Sequence, residues 1–361
     1  MTVDISLLIR PDFEDLDEYT PVKPLDVLAA EIGVPVERLV KLDANENLYG
    51  PILEIREAVA NCDMHIYPDP GQYALREAIA DYAGVEPNQV VAGAGADDLI
   101  DVLLRVAQPE AVVDVPPTFG MYGFLAKING ARVVESMRLE DFRPDIPSIA
   151  DAVEDGANVV FLASPNNPTG NPLSHAEIRE LCALEAFVVV DEAYIEFGGK
   201  TAVPLLKDHP NLVILRTFSK WAGLAGLRVG YSLSSAKMAH MLMQLKQPYN
   251  VNVAADVAAR EALKHRGRIF ETVKCIVAER DRMAKAVHGL GWLEPMPSES
   301  NFVLFKVKDR KAGDVAAALR KEGVLVRYYS RPELANYIRI SAGRPEDTDR
   351  LMEALRRLEA A

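Results

Sequence analysis

FVVVDEAYIEFGGKTAVPLLKDHPNLVILRTFSK, residues 187–220, holds two apolar runs that each end on a polar cluster. Phe187–Val190 stops at Asp191-Glu192-Ala193-Tyr194, and Leu212–Arg216 stops at Thr217-Phe218-Ser219-Lys220. Unbroken runs rich in β-branched residues indicate strands buried on both faces, as in a parallel sheet covered by helices. Upstream the same grammar repeats. Strands are predicted at 90–92, 111–115, 132–136 and 159–163, with helices from Gly95-Ala96-Asp97 through Val106, at 121–129 and at 175–184. Helical periodicity over 52–83 is broken at His65–Gly71 by two prolines and a glycine. This alternation predicts an α/β fold with a mostly parallel sheet flanked by helices.

The pattern changes after residue 245. A continuous helical stretch is expected from Val253 to Leu290, followed by a smaller α+β unit. Its strands are placed at 302–306, 324–327 and 337–341, with helices at 312–321 and from Pro345. Three regions are therefore expected. Residues 1–45 form an arm and a helix around 24–32 associated with the small domain, 46–245 a large domain, and 246–361 the small domain.

Composition narrows the function. The chain has 361 residues, 49% hydrophobic and 26% charged, with a net charge of −13. That charge argues against nucleic acid or an anionic membrane as a partner. Three cysteines, Cys62, Cys182 and Cys275, suggest neither a disulfide framework nor a zinc site, and a cytoplasmic location is expected. The N-terminus does not read as a signal peptide, and no apolar run is long enough to span a bilayer. Six histidines show no ligand spacing, so no metal is expected. Gly93-Ala94-Gly95 is followed by Asp98 where a dinucleotide fingerprint needs its third glycine.

In open α/β sheets, ligands bind beyond the carboxyl ends of the strands. Four such ends carry polar groups: Gly95-Ala96-Asp97, Ser164–Gly170, Asp191–Tyr194 and Ser219-Lys220. A lysine, an aspartate, a tyrosine and an asparagine in one crevice suit a phosphorylated pyridine aldehyde. The amine forms an imine, the buried acid keeps the ring nitrogen protonated, and the other two bond the ring oxygen. Blander readings exist. Asp191 could be a helix cap, Asn166–Gly170 an ordinary turn, and Arg327 and Arg339 surface ion pairs. Arg339, however, lies within the apolar run Ile338-Arg339-Ile340, where an unpaired charge would be costly.

The segment Thr217–Tyr231, TFSKWAGLAGLRVGY, closely resembles the cofactor-lysine motif of fold-type I, class II aminotransferases. Leu42-Asp43-Ala44-Asn45-Glu46-Asn47-Leu48-Tyr49-Gly50-Pro51, Tyr67-Pro68-Asp69-Pro70, Pro117–Tyr122 and Tyr337–Gly343 are similar to motifs of the histidinol-phosphate aminotransferases. The resemblance covers nearly the whole chain. It implies pyridoxal 5'-phosphate as cofactor and a homodimer with shared active sites. Lys220 would hold the cofactor as an imine and then shuttle the substrate proton. Asp191 would pair with the ring nitrogen, Asn167 and Tyr194 would bond the ring oxygen, and Phe119 would stack on the ring. Gly95, Ala96, Asp97, Ser219 and Arg228 would bind the phosphate, joined by Tyr67 from the neighbouring subunit. Arg339, Arg327, Asn45 and Tyr19 would bind substrate, either histidinol phosphate or glutamate and 2-oxoglutarate. The family often has proline at position 48, tyrosine at 119 and serine at 96, where this chain has Leu48, Phe119 and Ala96. Trp221 stands where a smaller residue or phenylalanine is usual. An aromatic aminotransferase, a decarboxylase of a phosphorylated amino acid and a silent binding protein are the competing expectations.

Overall fold

The computed structural model describes residues 4–13 and 23–360, which form two sheets. Strand β1 (Val40–Leu42) belongs to the smaller one. The next seven make the larger: β2 (Val90–Gly93), β3 (Ala111–Asp114), β4 (Arg132–Glu135), β5 (Ala157–Ala163), β6 (Phe187–Asp191), β7 (Leu212–Thr217) and β8 (Gly230–Ser234). Their order is β2-β8-β7-β6-β5-β3-β4. Neighbours from β4 to β7 are parallel, and β8 runs antiparallel to both β7 and β2. The mostly parallel α/β sheet read from the sequence is the sheet observed.

Burial explains the valine runs. Val188 and Val190 point into one core with Val160, Leu162, Leu212 and Ile214. Val189 points to the other face with Val159, Phe161, Val213 and Leu215, under helix Ala96–Ala107. Alternate side chains of a strand face opposite sides, so a sheet covered twice needs apolar residues at every position. Each such side chain contributes about 1.5–3 kcal/mol by burial. In register, Ala163 lies beside Asp191, and Asp191 beside Leu215, so β5, β6 and β7 end in one row. The polar clusters that follow them are thereby set side by side.

The smaller sheet adds β9 (Leu293–Pro295), β10 (Phe302–Val307), β11 (Val324–Tyr328) and β12 (Tyr337–Ser341) in the order β1-β11-β12-β10-β9. Its apolar core packs on helices Ala312–Lys321 and Pro345–Ala360. Parallel pairing of β1 with β11 carries the chain from the small sheet directly into Asp43–Glu46. Pairing of β11 with β12 sets Arg327 opposite Arg339.

Several elements differ from the sequence reading. The expected single helix over 253–290 is two, Val253–Lys264 and Arg266–His288. His265 ends the first, its N–H bonding the carbonyls of Glu261 and Leu263, and Gly267 follows with weak helix propensity. Helices Ile146–Glu154 and Ala236–Leu245 were not anticipated, although Asp145 and Ser235 cap them through Ser148 N–H and Met238 N–H. Strands β1, β8 and β9 were also missed. β8 reads GYSLS, a poor strand sequence stabilised by its two neighbours.

Candidate active site

One cavity of about 230 Å³ opens at the carboxyl ends of β5, β6 and β7. Lys220 and Asp191 both line it, with Asn167, Tyr194, Ser219, Phe119, Ala96, Asp97 and Arg228. Nine residues singled out from sequence are thus brought together.

Lys220 follows β7 in a turn pinned from both sides. Phe218 N–H donates to Val229 O at 3.1 Å, and Leu224 N–H to Phe218 O at 3.2 Å. Phe218 and Trp221 are wholly buried, Trp221 stacking on Phe270, which leaves the lysine between them directed at the cavity. Its Nζ donates to Ala44 O at 3.1 Å and lies 5.9 Å from the centre of the Tyr194 ring. Burial, with the positive charges of Arg339, Lys41 and Arg228 and against the pull of Glu46, pushes the amine down to about 8. A sizeable fraction is therefore the neutral nucleophile at physiological pH.

Asp191 closes β6. Its Oδ2 accepts from the Tyr122 hydroxyl at 2.7 Å and its Oδ1 from Ala193 N–H at 3.0 Å. Burial nevertheless pushes this acid up to about 6, with Asp97 and Glu192 adding to the rise. A buried carboxyl in that state gains from a cationic N–H partner, the donor that a protonated pyridine offers. Tyr122 was not among the sequence-derived site residues. A fully buried tyrosine hydroxyl requires a partner, and that requirement was the available signal.

Tyr194 is buried and pushed up to about 12, chiefly by desolvation. It accepts from Asn45 Nδ2 at 3.0 Å, so its own proton is free to donate. Asn45 sits in the left-handed region (φ 55°) and is tied to β12 by Ser341 Oγ, which donates to Asn45 Oδ1 at 2.7 Å. Asn166 braces the loop after β5 through Pro117 O, Thr169 and Thr118, leaving Asn167 to face the cavity. The loop is more than a turn.

The far end of the cavity is an anion cradle. Helix Ala96–Ala107 opens on it with unpaired N–H groups and the positive end of its dipole. Arg228 Nη2 reaches Asp97 Oδ2 at 3.0 Å. Thr217 Oγ1 donates to Ser219 Oγ at 2.9 Å. Two glycines make room. A Cβ on Gly95 (φ 91°) would lie 2.6 Å from Arg228 Nη2, and one on Gly230 would lie 2.8 Å from Ala96 N. Thr217, which also lines the cavity, is a second group the sequence reading passed over. The donor set fits a phosphate, and amine, acid and hydroxyl fit the ring that carries it.

Arg339, on β12, stands behind the cavity wall and reaches it through Asn167. It is buried, Nη1 donates to Asn167 Oδ1 at 2.5 Å, Nη2 donates to Asp43 O, and Nε is buried without a partner among the described residues. It is not a surface ion pair. Arg327 lies elsewhere, in a neighbouring cleft of about 380 Å³ with Asp43 and Tyr328, its guanidinium 5.6 Å from the Tyr329 ring centre. Tyr67 is also outside the cavity, 79% exposed and stacked on Tyr249 at 4.7 Å. Tyr19 falls outside the described residues.

The family model described as "Aminotransferase class I and II" matches residues 37–355. A histidinol-phosphate aminotransferase of Roseiflexus castenholzii is 46% identical over 368 residues, covering 99% of each chain. The chloroplastic histidinol-phosphate aminotransferase 1 of Arabidopsis thaliana is 45% identical, over 96% of this chain and 85% of that one. Among solved structures, the histidinol-phosphate aminotransferase from Sinorhizobium meliloti in complex with pyridoxal-5'-phosphate superposes with a TM-score of 0.87 at 27% identity. That match covers 97% of this chain and 98% of the other.

Proposed function

Because this chain belongs to the class I and II aminotransferase family, and within it to the histidinol-phosphate aminotransferases, we propose that it uses pyridoxal 5'-phosphate to move an amino group from glutamate to imidazole-acetol phosphate, giving histidinol phosphate and 2-oxoglutarate in histidine biosynthesis. The carrying observation is one amine, Lys220, and one acid, Asp191, lining a single cavity that ends in an anion cradle. When bound, the cofactor supplies an aldehyde that exchanges amines and a protonated ring that withdraws electrons from the substrate α-carbon.

The chain's own residues do the rest. Lys220 would hold the cofactor between turnovers and, as a free amine, would carry the proton that leaves the substrate α-carbon. Asp191 keeps the proton on the ring nitrogen, steadied by Tyr122. Tyr194 and Asn167 hold the ring oxygen, and Phe119 covers the ring face. The amides at Ala96 and Asp97 would hold the phosphate with Ser219 and with Arg228, whose guanidinium fits the space Gly95 leaves. Arg339 offers its unpartnered Nε to the phosphate or carboxylate of the substrate. Arg327, Asn45 and Tyr19 complete the substrate side in this reading.

Tyr67 serves the partner subunit of a homodimer. Its exposure beside Met64, Ile66, Tyr73 and Tyr249 gives a surface apolar enough to be covered. In this reading the chain divides into arm (1–45), large domain (46–245) and small domain (246–361), with helix Val253–Lys264 packed into the core of the large sheet. Three free cysteines suit the cytoplasm, and no helix among the described residues is long and apolar enough to cross a membrane.

Mixing the cofactor-loaded enzyme separately with histidinol phosphate, glutamate, phenylalanine and aspartate tests the assignment by loss of the bound-aldehyde absorbance. Histidinol phosphate and glutamate should discharge it fastest, and Lys220→Ala should abolish turnover. Faster discharge by phenylalanine than by histidinol phosphate would replace the substrate assignment, and normal transamination by Lys220→Ala would end it.

A further inference from the structure

The stretch Asn45-Glu46-Asn47 contributes a group that the chemistry above leaves unused. Glu46 lines the same cavity as Lys220. Its Oε2 meets Lys41 Nζ at 2.5 Å, while no described residue hydrogen-bonds Oε1, and the side chain keeps 40% of its exposure. Asp191 is engaged by Tyr122 and Ala193, and Asp97 by Arg228. Glu46 therefore offers the cavity a carboxylate oxygen still open to a substrate.

Its tie to Lys41 is easily loosened. Lys41 has a second acid 3.5 Å away, Asp43 Oδ1, which is buried and has no hydrogen-bond partner among the described residues. If Glu46 turns towards a ligand, Lys41 remains neutralised by Asp43, and no buried charge is orphaned.

Resting on the substrate reading above, we propose that Glu46 is a specificity-determining residue whose carboxylate accepts an N–H of the substrate's imidazole ring. Imidazole carries one N–H donor when neutral and two when protonated. A phenyl ring carries none. Lys220, Arg228 and Arg339 attract the anionic parts of every candidate substrate and cannot by themselves favour a basic ring over an apolar one. A carboxylate can, because it gains the hydrogen bond with one ring and is left desolvated against the other.

The test uses holoenzyme carrying the amino form of the cofactor, which binds amino donors without consuming them. Calorimetric titration with histidinol phosphate and with O-phosphoethanolamine, which keeps the amine and phosphate but lacks the ring, separates ring recognition from anion binding. Glu46→Leu should weaken histidinol phosphate about tenfold and leave O-phosphoethanolamine within about twofold, one charge-assisted hydrogen bond being at stake. Glu46→Gln, which keeps an acceptor but loses the charge, should weaken it less. It should also abolish the gain in relative affinity for histidinol phosphate that wild type shows as pH falls through about 6.5, where imidazole protonates. Equal weakening of both ligands by Glu46→Leu, or an unchanged pH response in Glu46→Gln, overturns the role of Glu46 and leaves the substrate assignment standing. Wild-type enzyme that binds histidinol phosphate no better than O-phosphoethanolamine overturns both.

Discussion

The floor of the cavity and its rim are assembled in different ways. The floor comes from β5, β6 and β7, parallel neighbours whose ends fall in one row, so Asp191 ends its strand while Asn167 and Lys220 each follow theirs by a few residues. The rim joins distant parts of the chain. Asn45 bonds Ser341, Arg339 bonds Asn167 and Asp43, and Glu46 is anchored by Lys41. A position fixed by sheet register tolerates little change, which suits chemistry common to every substrate. A position fixed by a few side-chain bonds between β1, β12 and the floor can be retuned, which suits selection among substrates.

Substitutions on the two sides should therefore fail differently. The largest effect is expected on the floor. Asp191→Asn should cost about a thousandfold in turnover, the scale of a buried charge interaction worth roughly 4 kcal/mol. The same change should stabilise the cofactor-free protein at neutral pH. Asp191 titrates near 6 when folded, above its ordinary 3.8, so its contribution to stability is present below about pH 4 and lost as pH rises through 6. An asparagine cannot ionise and escapes that loss, on the order of 1–3 kcal/mol. Thermal melts of both apoproteins between pH 4 and 8 would show it; parallel curves would contradict the buried-acid account.

An intermediate effect is expected at Arg339. Arg339→Gln should raise KM for both glutamate and histidinol phosphate by about a hundredfold, because it would remove charge-assisted bonds to the anionic group each carries, a carboxylate in one and a phosphate in the other. A change confined to kcat would move this residue from rim to floor. The smallest is expected at Arg327, its cross-strand neighbour, which lies outside the cavity. Arg327→Gln should alter KM for histidinol phosphate by no more than about tenfold and leave glutamate unchanged. Equal effects of the two arginine changes on both substrates would erase the distinction drawn from their positions.

The floor was also the part legible in the sequence. Apolar runs that end at Asp191 and shortly before Lys220 signal buried strands with reactive ends, because charge at the end of such a run has to be functional or capped. The rim was legible mainly through family likeness. Nothing local in Asn45-Glu46-Asn47 reveals that it meets β12, since that contact depends on β1 pairing with β11, and a three-residue strand leaves almost no periodic signal. Tyr122 was read only as part of the motif Pro117–Tyr122 and not as a site residue, because its partner, Asp191, lies 69 residues away in the chain. Helices Ile146–Glu154 and Ala236–Leu245 could have been found from their Asp145 and Ser235 caps.

Borohydride reduction of the holoprotein, followed by peptide mass spectrometry, asks the central question directly, because it freezes the cofactor onto whichever amine holds it. The added pyridoxyl mass should fall on the peptide containing Lys220 and on no other. The contrary result would be that mass on Lys246, a buried lysine whose Nζ is taken up by the carbonyls of Pro70, Gln247 and Pro248, or no incorporation at all.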